Sequence, residues 1–356
     1  MQHLSNKKIF LYAFIILDIF ILLFIGFVFV RDKRIEARNR QAAIEAAQKT
    51  QNIDIEWNVE KTVYPLTYFG QDKKLIEIKI NSPIYTTLNI ESQIDGLSKV
   101  KKEDINIKPG SRIVHIAPDI SEQGYKKLEN KMNSKVRLKI SKEGETLVND
   151  SKSVQFMAIN EIVWQKKGRE NHEYILRLVN KDAPKIVELV GKAAKHVEEM
   201  GGEDNIMIGT LGDRNQQISE MKAVFAAMSQ DYDIKYVFSH RSYFDNFAQR
   251  LKTPSQVLET NTGLCIELSL VMSAALEHVS LRPVIIIVPG HAFAGIELGP
   301  KTGEYVFIET TLLSEEPQEA LKIGQEQWEI AKMSGQYKIL NVTDIRQDGI
   351  IPIQLD

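Results

Sequence analysis

The pattern of apolar and polar positions changes along the chain, beginning with a long apolar run near the N-terminus. Residues 9–30 are apolar except for Asp18, and as a helix they would measure about 33 Å, enough to cross the core of a bilayer. The charged residues 31–34 follow directly, where a signal peptide would show a small-residue cleavage site. The pattern therefore predicts an uncleaved, single-pass membrane anchor.

The segment after the anchor predicts a helical stalk. Residues 31–52 are rich in Ala, Glu, Arg and Gln and contain no Gly or Pro, a composition with strong helix propensity. Their apolar content is mostly alanine, so they cannot build a core alone, and self-association through this stalk is a second interpretation. The basic residues after the anchor favour the cytoplasm under the positive-inside rule, whereas a short tail with Lys7 and Lys8 also suits an ordinary signal anchor.

Residues 53–165 show the two-residue alternation of β-strands. Apolar and polar side chains alternate over residues 75–80 and 136–140, and turn sequences such as residues 108–111 separate the runs. Several short strands at near-regular spacing predict an all-β sandwich. Because such sandwiches are common ectodomains, we favour the extracytoplasmic side of the cell membrane for the bulk of the chain.

After residue 165 the apolar residues take helical spacing, and helices then alternate with strands. Asp182 and Pro184 form a helix start signal, and the helical stripe continues to Gly201 and Gly202. The other predicted elements are a helix with Met221, Val224, Phe225 and Met228, strands over 283–288, 291–298 and 305–311, and a helix over 317–333. The chain is thus predicted to be α+β, with a tail (1–8), an anchor (9–30), a stalk (31–52), a β-sandwich (53–165) and an α+β domain (166–356).

The charge and the cysteine content exclude several functional classes. Lys and Arg number 45 and Asp and Glu number 47, a formal net charge of −2, which gives no reason to expect nucleic-acid binding. A cysteine count of 1 excludes an intramolecular disulfide and a multi-thiolate metal site. The 7 histidines show no metal-ligand spacing, and the sequence has neither an acidic calcium loop nor a glycine-rich phosphate loop. We therefore expect no metal and no cofactor.

The single cysteine lies at the predicted start of a helix. Apolar residues at helical spacing follow Cys265, and Asn261 or Thr262 is expected to cap this helix, which places the thiol in its first turn. The free N–H groups and the dipole of a helix N-terminus stabilise a thiolate and lower the thiol pKa. The alternative is that this lone cysteine is a small buried apolar residue.

A histidine and a carboxylate follow in positions that suit catalysis. His291 opens the second of the three predicted strands, and Glu309 lies near the end of the third. In an antiparallel meander the start of one strand lies beside the end of the next, so these two side chains are expected to be neighbours. With Cys265 on a helix packed against the sheet, His291 would be the base, Glu309 would orient its imidazole, and the Cys265 backbone N–H would donate to an oxyanion.

Short motifs around these three residues follow one another in a recognisable order. They are Gly263-Leu264-Cys265, residues 272–276, Leu281-Arg282-Pro283-Val284, His291-Ala292-Phe293 and Glu309-Thr310-Thr311, with a lead-in at residues 234–236 and 252–258. Over residues 215–312 the chain therefore resembles the transglutaminase-like superfamily, the papain-like cysteine enzymes with the chain order Cys, His, Asp. The resemblance implies a papain-like transglutaminase core, a helix packed on an antiparallel sheet, preceded by the all-β sandwich and the N-terminal transmembrane helix.

The resemblance also implies thiol acyl transfer at an amide of a peptide or protein substrate. Cys265 would form a thioester, which water resolves in a peptidase or amidase and an amine resolves in a transglutaminase. The sequence departs from the family pattern because Glu309 stands where Asp is usual. The side chain that completes the oxyanion hole is left open between Gln249, Asn246 and Gln256. These departures support an alternative, a membrane-tethered binding or scaffold protein that keeps the fold without turnover.

Overall fold

The computed structural model describes residues 26, 28–41, 52–68, 75–166, 168–202, 206–238, 243 and 247–354. Over these residues the chain is an α+β protein with antiparallel and mixed sheets, which confirms the predicted fold class at this level. Residues 28–41 form a helix, α1, that overlaps the predicted stalk. The predicted anchor lies almost entirely outside the described residues. No helix in the described ranges is long and apolar enough to cross a membrane.

The first half of the described chain is rich in strands, as its alternating pattern predicts. The strands are β1 (Asp54–Val59), β2 (Thr62–Val63), β3 (Ile76–Ser82), β4 (Thr86–Ile94), β5 (Lys101–Ile107), β6 (Gly110–Ile116), β7 (Met132–Lys142) and β8 (Glu145–Phe156). They form an antiparallel sheet of order β1-β3-β6 and a second sheet of order β2-β8-β7-β4-β5, in which the short β2 pairs in parallel with β8. Alternate side chains of β3, β4 and β7 are buried, and those of both sheets belong to one apolar core.

The second half alternates helices with shorter strands. After α2 (Glu122–Lys126), which lies between β6 and β7, the helices are α3 (Pro184–Ala193), α4 (Arg214–Ala226), α5 (Pro254–Thr260), α6 (Cys265–His278), α7 (Pro317–Ser334) and α8 (Val342–Gln347). The strands are β9 (Glu161–Val163), β10 (Gln165–Lys166), β11 (Arg169–Glu170), β12 (Lys235–Tyr236), β13 (Ala248–Arg250), β14 (Thr262–Gly263), β15 (Pro283–Val288), β16 (His291–Glu297), β17 (Tyr305–Ile308) and β18 (Lys338–Asn341).

A four-stranded antiparallel sheet of order β17-β16-β15-β18 has a helix on each face. Successive side chains of a strand point to opposite faces. Ala292 and Ala294 of β16 accordingly pack into the main core with α6. Phe293 and Phe307 lie on the other face and form a separate apolar cluster with Trp328 of α7. Because α6 and α7 pack on opposite faces, the sheet has a defined position, and so has its end where β16 begins.

Two element boundaries differ from the sequence prediction. Helix α3 ends at Ala193, and the chain continues through a turn of 3-10 helix, where the apolar stripe had predicted α-helix up to Gly201. The third strand, β17, ends at Ile308 instead of residue 311, because the Glu309 N–H donates to the Ala320 carbonyl of α7 and not to a strand partner.

Candidate active site

Cys265 is the first residue of α6, so its backbone N–H is one of the amides without an acceptor inside the helix. Just before it, the two residues of β14 pair in parallel with β12, and Leu264 joins this strand to the helix. The predicted caps, Asn261 and Thr262, are wrong: Asn261 ends α5 in the left-handed region, at φ 49°. Glu267 supplies the cap, since its carboxylate accepts the Leu264 backbone N–H at 2.9 Å.

His291 and Glu309 lie together at one end of the four-stranded sheet. The register pairs Ala294 with Ile308, so the first residue of β16 and the residue after β17 stand diagonally on the same face. His291 Nε2 donates to Glu309 Oε2 over 2.8 Å. The side chain of His291 is 24% exposed, whereas that of Glu309 is only 2% exposed. The histidine is thus the open end of this pair, and the carboxylate is the enclosed end.

The thiol completes a row of three groups. His291 also lies beside the Cys265 thiol, close enough for each group to shift the pKa of the other. Because Nε2 faces the carboxylate, Nδ1 is the imidazole nitrogen left for the sulfur. Cys265 is 4% exposed, so the sulfur is buried beside the imidazole. The three residues named from the sequence therefore meet in one place.

The ionisation of these groups favours a thiolate and an imidazolium. Burial raises the pKa of the Cys265 thiol, but hydrogen bonds from His291 and Tyr243 outweigh it and hold this pKa below its usual value. Burial lowers the pKa of His291, whereas its bonds to Cys265 and Glu309 raise it to about 10. Burial raises the pKa of Glu309, and the bond from His291 more than offsets this, so the carboxylate is ionised.

Glu309 is held at its side chain and at its backbone. Its Oε1 accepts the Thr311 N–H at 2.9 Å and the Thr311 hydroxyl at 2.6 Å. Its own N–H donates to the Ala320 carbonyl of α7 at 2.9 Å. Helix α7 can approach this closely because Gly324 has no side chain: a Cβ there would lie 2.8 Å from the Glu309 nitrogen. Hydrogen bonds therefore hold both the carboxylate and the backbone of Glu309 in place.

A fourth side chain, which sequence reasoning missed, contacts the sulfur. Tyr243 Oη lies 2.9 Å from Cys265 Sγ, and the tyrosine is buried. Burial raises the pKa of this phenol, and the neighbouring Cys265 raises it further, so the phenol keeps its proton and donates to a thiolate. The sequence around Tyr243 has neither helical nor strand periodicity, and nothing there distinguishes it from Tyr236 nearby.

Residues next to β9 hold Tyr243 in place. The ring of Trp164 packs edge-on against Tyr243 with ring centroids 4.9 Å apart. His172 Nε2 donates to the Tyr243 carbonyl over 2.7 Å, and Trp164 Nε1 donates to Gln249 Oε1 over 3.0 Å. Gln249 lies on β13, which pairs with β9. The tyrosine is therefore clamped at its ring and at its backbone.

Of the three amides considered for the oxyanion hole, two have their side-chain oxygens engaged and the third cannot be placed. The Gln249 side-chain oxygen is engaged by Trp164. Gln256 takes part in the N-terminal cap of α5, where it accepts the Thr253 N–H at 3.0 Å. Asn246 lies outside the described residues. The hydroxyl of Tyr243, by contrast, lies within hydrogen-bond distance of the sulfur.

An open groove of about 660 Å³ runs along the backbone just before the cysteine. Its lining includes Val237, Lys252, Glu259, Gly263 and Leu264. A groove of this size has room for a segment of polypeptide, and its lining reaches Leu264, the residue before Cys265.

The donor set of the site has the chemistry of a nucleophile with a proton carrier. In the described ranges, no group of three or more His, Cys, Asp or Glu side chains is placed to hold a metal ion.

No protein-family model matches the chain, and neither does any curated protein. The function is therefore argued from the geometry of the site.

Proposed function

We propose that this chain is a membrane-anchored, transglutaminase-like cysteine enzyme that transfers acyl groups from peptide or protein amides. The observation that carries the proposal is the His291 imidazole, which donates to the Glu309 carboxylate and lies beside the Cys265 thiol. These groups supply a nucleophile, a proton carrier and an orienting carboxylate. The finer fold, a papain-like core behind a β-sandwich, belongs to the same proposal.

In the first step the Cys265 thiolate attacks the carbonyl carbon of the amide. The C–S bond forms, the carbonyl π electrons move to oxygen, and the Cys265 N–H at the helix N-terminus donates to that oxygen. Collapse of this intermediate breaks the C–N bond, and the His291 imidazolium gives its proton to the leaving amine. The product of this step is a thioester on Cys265.

In the second step a nucleophile resolves the thioester. His291 takes a proton from water or from a second amine as it attacks, the C–S bond breaks, and the thiolate is restored. Water gives a peptidase or amidase, and an amine gives a transglutaminase. The groove supports a polypeptide substrate, because its lining includes Gly263 and Leu264, the two residues that precede Cys265.

The cellular setting is part of the proposal. The apolar run of residues 9–30 anchors the chain in the cell membrane, and the bulk of the chain lies on the extracytoplasmic side. The stalk of residues 31–52 sets the enzyme off from the bilayer and is the segment through which copies of the chain would associate.

The pH dependence of Cys265 alkylation tests the proposal. The full chain in detergent has one thiol, so the rate of reaction with iodoacetamide reports on Cys265 alone. We expect a thiol pKa well below the ordinary value of about 8.5, and we expect His291→Ala to return it to that range. The matched control is His278→Ala, at the far end of α6, which should leave the profile unchanged.

An inert thiol would contradict the proposal. If Cys265 reacts only after the protein unfolds, the residue is a buried apolar side chain and the catalytic function is excluded. The tethered binding or scaffold protein would then be the function to pursue.

A further inference from the structure

We infer that Tyr243 completes the oxyanion site, so that its hydroxyl and the Cys265 backbone N–H together stabilise the negative oxygen formed when the thiolate attacks an amide. This inference rests on the proposed function and names a catalytic residue for it. It fills the position for which the sequence offered only Gln249, Asn246 and Gln256.

The two donors reach the same point from different elements. Tyr243 Oη already lies 2.9 Å from Cys265 Sγ, and the Cys265 N–H is the first free amide of α6. When Sγ bonds to a carbonyl carbon, the carbonyl oxygen is only two bonds from the sulfur. That oxygen therefore comes within reach of a hydroxyl that contacts the sulfur and of an amide on the same residue.

The hydroxyl can follow the charge as it moves. Before attack the negative charge is on Sγ and the phenol donates to it; during attack the charge passes to the carbonyl oxygen. A rotation about the C–O bond of the phenol redirects the same hydrogen, and no proton is transferred. Oxygen accepts a hydrogen bond more strongly than sulfur does, so the bond gains strength in the transition state, which is the condition for catalysis.

The surroundings of Tyr243 make it a preorganised donor. Its ring packs on Trp164, and its carbonyl accepts the hydrogen bond from His172. Donors that are fixed before the reaction cost little reorganisation when charge develops, which is why such sites stabilise transition states effectively. Trp164 and His172 act through Tyr243 and are therefore positioning residues.

Two reagents separate an effect on the oxyanion from an effect on the thiolate. p-Nitrophenyl acetate acylates Cys265 through a tetrahedral oxyanion and releases p-nitrophenolate, whereas iodoacetamide reacts at a saturated carbon and forms no oxyanion. Both rates are measured on the full chain at a pH above the thiol pKa of each variant. We expect Tyr243→Phe to lower the acylation rate by about 10²–10³-fold and to change the alkylation rate little.

The control variant is Tyr236→Phe. Tyr236 carries a second phenol near the site. Burial raises the pKa of this phenol, and the charges of Cys265 and Glu309 raise it further, which they can do because they are close. It should keep the wild-type ratio of acylation to alkylation. If Tyr243→Phe lowers both rates by one factor, or changes neither, the oxyanion role is overturned while the proposed function stands. A wild-type thiol that reacts with neither reagent in the folded protein overturns the proposed function as well.

A second pair of variants leaves the Tyr243 hydroxyl in place. His172→Leu removes the donor to the Tyr243 carbonyl, and we expect it to lower the acylation rate without lowering the alkylation rate. His172→Gln restores an N–H donor and should restore part of the ratio. A ratio that is equal in both variants and in the wild type would overturn the positioning role of His172.

Discussion

The two oxygens of Glu309 bind different partners: Oε2 accepts from His291, and Oε1 accepts from both donors of Thr311. Glu309→Gln removes the negative charge and keeps the shape of the side chain. We expect the pKa of His291 to fall and the thiolate fraction at neutral pH to fall with it, since the carboxylate stabilises the imidazolium. The measurement is the pH profile of Cys265 alkylation.

The control for this substitution is Glu304→Gln. Glu304 is a surface carboxylate whose nearest cation is Arg214, at 3.6 Å. An alkylation profile in which Glu309→Gln and Glu304→Gln both match the wild type would show that the carboxylate does not support the imidazolium.

The imidazolium of His291 is predicted to show itself through the charge of the reagent. Because the pKa of His291 is raised to about 10, the ring carries its proton below that pH and loses it above. Iodoacetate is an anion and iodoacetamide is neutral, so the ratio of their rates with Cys265 should be high below pH 10 and fall through about pH 10. A ratio that is flat with pH, or that falls equally in His291→Ala, would contradict the assignment.

At the residue scale, the sequence was sufficient for three of the four groups at the site. Periodicity locates the start of α6 and the strands, and an antiparallel meander then brings His291 next to Glu309. Their catalytic roles stay a prediction. Tyr243 was not predictable, because it lies in a segment without periodicity and its position depends on packing against Trp164, a residue distant in sequence.

Helix α7 acts on the site through one glycine. Gly324 lets the helix pack directly on the backbone of Ile308 and Glu309. Gly324→Ala would place a Cβ against backbone atoms that cannot move aside cheaply, so we expect a loss of about 1–3 kcal/mol in the free energy of unfolding. The urea midpoint of the full chain measures the loss, and slower alkylation of Cys265 should accompany it.

Gly191 provides the matched helical control. A Cβ at this position of α3 would meet nothing within 4 Å. Gly191→Ala should therefore raise the free energy of unfolding by about 0.5–1 kcal/mol through helix propensity alone. Equal urea midpoints for the two alanine variants would show that α7 does not press on Glu309.

At the element scale, the helices and strands of the site, including the start of α6, were predictable from period, but the end of β17 was not. That end is set by α7, because the Glu309 N–H donates to the Ala320 carbonyl. Periodicity carries no information on a contact between two elements. The capping prediction failed because Glu267 and not Asn261 satisfies the backbone at this helix start: its carboxylate accepts the Leu264 N–H.

For the whole molecule, the side of the membrane can be tested with one introduced thiol. Leu211 is 89% exposed, and Cys265 is the natural cysteine that must be removed. In the double variant Cys265→Ser, Leu211→Cys, we expect a membrane-impermeant maleimide to label the full chain in intact cells. Labelling that appears only after the cells are permeabilised would place the bulk of the chain in the cytoplasm.

The packing of Trp164 on Tyr243 limits where recombination can divide this chain without disturbing the site. Trp164 sits directly after β9, and β9 pairs with β13 in the second half of the chain. A gene fusion that transplanted residues 166–356 onto another protein would carry Cys265, His291 and Glu309 but would leave behind Trp164, which packs on the Tyr243 ring. A crossover that preserves the reactive assembly has to fall before β9, so the strand-rich half ends, for the purposes of recombination, earlier than its sequence pattern suggests.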